Sequence, residues 1–313
     1  MDAATFILGL SFLVQLVGGS LGNLTLLLSY VHLKATQGIL RPVDIIVSHL
    51  ALANLLALLS RGFPQIMSLF GMKNFMTDSG CKTVIYLYRV ARGLSISTTC
   101  ILSVFQSITM APITTWLGKL KHRIPKYLIP SFIVFWIVGL FSFLVVPLYA
   151  RAPQNSTFPP NVVSLGFCYM SYLPPGSVQD IVSTTFIGGQ DMFLVTVMII
   201  ASVYMLVVLR RHRKQVEYIQ SVSQSSTTVV EDKASKTIIE LVALYASFYA
   251  IDIIINEYGR SLQQQTTLLT NIRVFFSSCY QLLSPFILLS FNKKVALKNL
   301  CKKKKKILSA NNG

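Results

Sequence analysis

The chain has 313 residues, of which 53% are hydrophobic and only 12% charged, and its 28 lysines and arginines outnumber its 11 aspartates and glutamates. That apolar excess lies outside the soluble range and describes an integral membrane protein. The basic excess does not describe a nucleic-acid-binding protein, because it sits in short blocks between long apolar runs.

Seven such runs occur, at about 4–30, 43–70, 81–111, 126–149, 183–209, 237–258 and 267–291. At about 1.5 Å of rise per residue each can cross a hydrocarbon core about 30 Å thick. They predict an all-α bundle of seven transmembrane helices over residues 1–291, followed by a basic tail over 292–313. The loops leave no room for a soluble domain. No lysine or arginine precedes the first run and no small-residue cleavage pattern follows it, so it is expected to be a retained span rather than a signal peptide.

Charge sets the expected orientation. Lys34 and Arg41 lie between spans one and two; Lys119, Lys121, Arg123 and Lys126 between three and four; Arg210, Arg211, Arg213, Lys214, Lys233 and Lys236 between five and six; and eight more lysines follow span seven. The opposite loops hold only Lys73, Lys82, Arg151 and Arg260. By the positive-inside rule the N-terminus faces out and the tail faces the cytoplasm. Asn155-Ser156-Thr157, a glycosylation acceptor, then falls on the outer side, whereas the match at Asn23-Leu24-Thr25 is inside a span. Of five cysteines, Cys100 and Cys279 fall within spans and Cys301 among lysines, which leaves Cys81 and Cys168 in an oxidising compartment, either bonded or as two free thiols. After span seven, apolar residues at helical spacing among lysines predict a short amphipathic helix along the inner leaflet. Cys301 is a candidate for palmitoylation there, and the lysines at 302–306 favour anionic membrane lipid over nucleic acid.

The span from Cys81 carries the chemistry. Arg89 and Arg92, three residues apart on one helical face, would each cost about 2.5–3.5 kcal/mol at the centre of a bilayer, so they must face protein or water. Arg61 and Arg273 are also placed in or near spans, against Asp191, Asp252 and Glu257. Two outcomes are open: the charges neutralise one another as structural ion pairs, or they line a polar cavity. With one surplus positive charge and the planar fork of arginine, such a cavity favours an anion such as a carboxylate. On span six Phe248, Asp252 and Asn256 share a face, with Tyr249 and Glu257 alongside, and Tyr88 stands one turn before Arg92. Aromatic walls with a few placed polar groups are the usual make-up of a small-molecule pocket, although the same aromatics serve equally for helix packing. The candidate ligand-binding set is Tyr88, Arg89, Arg92, Asp191, Asp252, Asn256, Glu257 and Arg273.

Catalytic and cofactor readings find little support. Gly18-Gly19-Ser20-Leu21-Gly22 fits G-x-S-x-G, but inside an apolar helix it reads as a close-packing site rather than a nucleophile elbow. The four histidines are scattered, His49 alone being well inside a span, and no metal-spaced set or phosphate loop occurs.

Seven spans, an outside N-terminus and a Cys81–Cys168 tie resemble the G-protein-coupled receptor superfamily, as do Gly22-Asn23 in span one and Trp136 in span four. The stretch 93–108, GLSISTTCILSVFQSI, closely resembles the third-helix motif of the vomeronasal type 1 pheromone receptors and their fish olfactory relatives. His49 to Asn54 (HLALAN), Ser247-Phe248-Tyr249 and Ser284-Pro285-Phe286 are similar to that family's second, sixth and seventh helices, and Asn155 lies where its glycan attaches. Asp-Arg-Tyr is absent from the inner end of span three, Asn54 stands where aspartate is usual, and Ser284-Pro285 replaces Asn-Pro. The ionic lock and sodium site of ordinary rhodopsin-like receptors are therefore not carried over. The resemblance implies a chemosensory receptor in the plasma membrane of sensory neurons, binding a small odorant or pheromone and coupling to an inhibitory-type heterotrimeric G protein, without a cofactor. Lys119, Lys121, Arg123, Arg210 and Arg211 are the basic residues that can meet an acidic partner surface, their alternative role being topology charge alone. A transporter with buried charges is the rival class, but the sequence shows no internal repeat and no matched pair of broken helices.

Overall fold

The computed structural model describes residues 3–38, 40–72, 74–153, 162–171, 178–218, 226–261 and 267–311, with the side chains of 178–184, 213–218, 226–234, 291–311 and a few single positions left out. The order of elements is α1 (Ala3–Gln37), α2 (Pro42–Leu69), α3 (Asp78–Met110), a short α4 (Trp116–Lys119), α5 (Ile124–Ser142), β1 (Ala150–Arg151), β2 (Val162–Ser164), β3 (Tyr169–Ser171), α6 (Val178–Tyr218), α7 (Ser226–Ser261) and α8 (Thr267–Asn311). Spans one to three are α1 to α3, and spans four to seven are α5 to α8. All seven are helices long and apolar enough to cross a membrane.

Most helices overrun the predicted spans, because an apolar count marks only the stretch that lipid can cover, whereas a helix satisfies its own backbone and continues into water. Span four falls furthest short. There α5 ends at Ser142 and the chain tightens into a 3₁₀ turn over Val146–Tyr149, where Pro147 has no N–H to donate. The tail is helical as its spacing predicts, but α8 runs through it to Asn311 as one element rather than restarting as a separate short helix.

The connection after span four is more than a loop. Its strands form an antiparallel sheet in the order β1-β3-β2, with Ala150 opposite Met170 and Val163 opposite the same residue from the other side. Gly166 turns the β2–β3 hairpin at a φ of +87°, a left-handed conformation that glycine adopts without a Cβ penalty. Cys168 is bonded to Cys81 at the start of α3, both fully buried, so the disulfide read from the sequence pins this sheet onto the bundle.

At the centre stands α3, which contacts α2, α5, α6 and α7 and is the most enclosed of the spans. Its hydroxyl-rich sequence tolerates burial because the side chains bond back one turn: Ser97 to the Gly93 carbonyl at 2.8 Å, Thr99 to Ser95 at 2.8 Å and Ser103 to Thr99 at 2.9 Å. A large apolar cluster through Leu26, Leu50, Ile96, Leu102, Met205, Leu241 and Tyr280 fills the bundle, and a second around Ile85, Phe143, Leu165 and Phe167 encloses the disulfide. The small residues of α1 are packing sites, as the sequence suggests: a Cβ at Gly19 would lie 2.6 Å from Leu58 Cδ1, and one at Gly22 would lie 2.9 Å from Pro285 Cγ. Ser20 is accordingly within a helix and at no strand-to-helix elbow.

Candidate functional site

In the half of the bundle that carries the disulfide, four helices bring charged side chains together. Arg92 on α3 reaches Asp252 on α7, Nη2 to Oδ2, at 3.3 Å, and Arg273 on α8 donates from Nε to the other oxygen of Asp252 at 2.9 Å. Asp191 on α6 lies 4.0 Å from Arg92 Nη2. Arg273 Nη1 also donates to Asn256 Oδ1 at 2.8 Å, one turn along α7 from Asp252. One carboxylate thus bridges two guanidinium groups from different helices, in a setting where solvent reaches only about a tenth of it. A lone carboxylate or guanidinium at this depth would be prohibitively desolvated; the cluster persists because each charge has a counter-charge and a directed bond.

Both outcomes left open by the sequence are present. The pairing neutralises charge, but it does not use all the donors. Nε and Nη1 of Arg92 and Nη2 of Arg273 make no hydrogen bond among the described residues, and the two side chains keep 15% and 24% of their exposure. The second N–H of Arg92 Nη2 lies alongside an N–H of Nε or of Nη1, and such an edge beside a buried ion pair can receive a planar oxyanion in bidentate fashion.

The other predicted residues lie around this core. Arg89 is half-buried on α3, one turn from Arg92, with interactions of its own. Glu257 is exposed at the edge, its Oε1 taking a long bond of 3.4 Å from Asn256 Nδ2, so it is not part of the ion-paired core. Tyr88, near Arg92, makes no hydrogen bond to the Asp252 pair among the described residues: its ring faces Arg61, with the guanidinium carbon 5.7 Å from the centroid, and its hydroxyl is 3.5 Å from Ser277 Oγ on α8. Arg61, 5% exposed, lies on its other side 5.1 Å from the centroid of Phe167, next to Cys168. Cation–π contacts with two rings are among the interactions of this buried arginine and tie the sheet to α2 and α3. Cys100 and Cys279 are free and buried, as expected of residues within spans. His49 stacks on Phe132, ring centroids 4.1 Å apart, with Nδ1 3.1 Å from the Ile45 carbonyl.

Beneath the ion cluster lies an uncharged network that the sequence did not announce. Ser95 Oγ donates to Asn54 Oδ1 at 2.6 Å, Asn54 Nδ2 donates to Ser284 Oγ at 3.0 Å, and Thr99 and Tyr280 share a hydroxyl bond of 2.7 Å. A separate bond toward the disulfide end, beside Gly166, runs from Gln65 Nε2 to Asn271 Oδ1 at 2.9 Å. The available signal was a pairing of substitutions: asparagine on span two and serine before the proline of span seven are complementary partners. At the far end of α3, Gln106 Nε2 donates to Ser235 Oγ of α7 at 3.3 Å, and that hydroxyl contacts Met110 Sδ. Near this end Lys119 and Arg123 are exposed and Lys121 half-exposed on the connection to α5, and Arg210 and Arg211 are exposed on α6. Asn155 lies outside the described residues, and among those described no cluster of ligating side chains suits a metal.

The model of the vomeronasal organ pheromone receptor family matches residues 6–302. Olfactory receptor class A-like protein 1 of Danio rerio is 40% identical over 302 residues, covering 96% of this chain and 94% of its own. Vomeronasal type-1 receptor 4 of Homo sapiens is 35% identical over 283 residues, covering 90% and 93%. Squid rhodopsin superposes with a TM-score of 0.73 over 95% of this chain and 85% of its own at 15% identity, a likeness of fold.

Proposed function

Because the chain belongs to the vomeronasal organ pheromone receptor family, whose members are chemosensory G-protein-coupled receptors and not enzymes, we propose that it binds a small molecule bearing an anionic group between α3, α6, α7 and α8. Binding activates a heterotrimeric G protein at the opposite end of the bundle. The receptor sits in the plasma membrane of chemosensory neurons with the disulfide end outside, Asn155 carrying a glycan, and the basic tail over 292–313 on the inner leaflet against anionic lipid. The observation that carries this reading is the set of unspent guanidinium donors on Arg92 and Arg273 beside a pair that is already neutralised. A ligand carboxylate would compete with Asp252 for those donors, and Asp252 belongs to α7. The same helix bonds to α3 near its other end through Ser235, so a ligand that loosens one attachment biases the second. Lys119, Lys121, Arg123, Arg210 and Arg211 would receive the G protein, of the inhibitory type, on an acidic surface.

Nucleotide exchange on an inhibitory-type G protein, followed in membranes containing this chain while small acids, amines and steroids are added, tests the reading. Stimulation by one or more acids is expected. Uptake of labelled solute with no exchange would instead identify a transporter.

A further inference from the structure

The two carboxylates of the cluster are not equivalent, and the difference describes the ligand more closely. Asp252 has both oxygens engaged, one by Arg273 at 2.9 Å and one by Arg92 at 3.3 Å. Asp191 is nearly as enclosed, its side chain 14% exposed against 10% for Asp252, yet its nearest cation is Arg92 Nη2 at 4.0 Å and it accepts no hydrogen bond among the described residues. A carboxylate offers about four acceptor sites, and an enclosed one left without donors is unfavourable. The exposure that remains leaves a side along which another group can approach.

We propose that Asp191 receives a cationic nitrogen of the ligand, which is therefore a small zwitterion: its carboxylate on the open donors of Arg92 and its ammonium on Asp191. With Asp191 only 4.0 Å from Arg92 Nη2, a ligand whose two charges are close neighbours, as they are across a single carbon in an α-amino acid, can meet both residues. This inference rests on the anion site proposed above and adds to it the second charge and its spacing.

The test uses matched probes that differ only in the ammonium group: 3-phenylpropionate with phenylalanine, and 4-methylpentanoate with leucine. Each is titrated against the full-length receptor, wild type and Asp191→Asn, by G-protein nucleotide exchange and by thermal stabilisation in detergent. Asp191→Asn leaves Asp252 on both arginines, so the variant is expected to fold, as its ligand-free thermal midpoint will report. In the wild type at least one amino acid acts at a concentration about tenfold or more below that of its deaminated partner, the ratio expected of one charge-assisted bond. In Asp191→Asn that advantage disappears while the deaminated acid keeps its potency. Equal potency within both pairs in the wild type, or equal weakening of all probes by the substitution, overturns the role of Asp191 and leaves it a carboxylate satisfied by water, with the anion site intact. No effect of any probe on the wild type overturns both.

Discussion

From Cys81 to Arg92, α3 presents two arginines, a disulfide and two tyrosines to its neighbours, whereas from Ser95 to Met110 it presents only hydroxyls, an amide and apolar groups. The neutral half meets its needs internally: its serines and threonines bond to their own helix, and Asn54, Ser284 and Tyr280 meet what remains. The charged half does not. It pairs its charges across four helices and still leaves guanidinium donors open. Full satisfaction suits a hinge or a fixed contact, while partial satisfaction at a partly accessible depth suits a ligand. On the proposed reading, the two halves of one helix separate holding from sensing.

The largest expected effect is at the bridging carboxylate. Asp252→Ala leaves two enclosed guanidinium groups without their counter-charge and should lower stability by about 3–5 kcal/mol, the cost of breaking a buried pair from one side. Thermal unfolding of the solubilised receptor measures it, and a midpoint like the wild type's would remove the charged half from the architecture. Next comes Arg92→Ala. Loss of a bidentate anion contact should weaken the response to small acids by about ten- to a hundredfold, while Arg151→Ala, exposed on β1, leaves it unchanged. Equal responses from the two variants would put the anion elsewhere.

How far the sequence reaches differs between the halves. The seven spans, the Cys81–Cys168 bond and the meeting of Arg92, Asp191, Asp252, Asn256 and Arg273 were legible because length, compartment and the cost of burying charge are each readable along the chain. The positions of Tyr88 and Glu257 were not, since helical spacing gives a face but not which neighbour it meets; Tyr88 turns to Arg61 and Glu257 to the exposed edge. The small sheet was hidden because two- and three-residue strands carry no periodicity, and its pairing depends on the distant Cys81. In the neutral half the hydrogen bonds join residues far apart in sequence, Asn54 with Ser284 and Thr99 with Tyr280, and no local pattern announces them.

Smaller effects belong to that neutral half. Asn54→Ala strips partners from Ser95 and Ser284 and should cost about 1–3 kcal/mol of thermal stability without changing which ligands are preferred. A change in ligand preference instead would erase the separation of the halves. Smallest is Gln106→Leu. It removes one uncharged bond from α3 to Ser235, worth about 1 kcal/mol, and should raise ligand-free nucleotide exchange by up to about fivefold. Unaltered basal exchange would show that this contact does not restrain α7.

The claim on which the rest depends is that small anions reach the guanidinium groups between α3, α7 and α8. A cysteine placed by Asn256→Cys, half-buried beside Arg273, reports on this through its rate of reaction with a sulfonate-bearing thiosulfonate reagent, read against the parent chain, in which Cys100 and Cys279 are buried. The expected result is labelling that an activating small acid slows in the wild-type background and no longer slows when Arg92→Gln is added. A cysteine that never reacts, or one whose protection by the acid survives Arg92→Gln, would contradict the account.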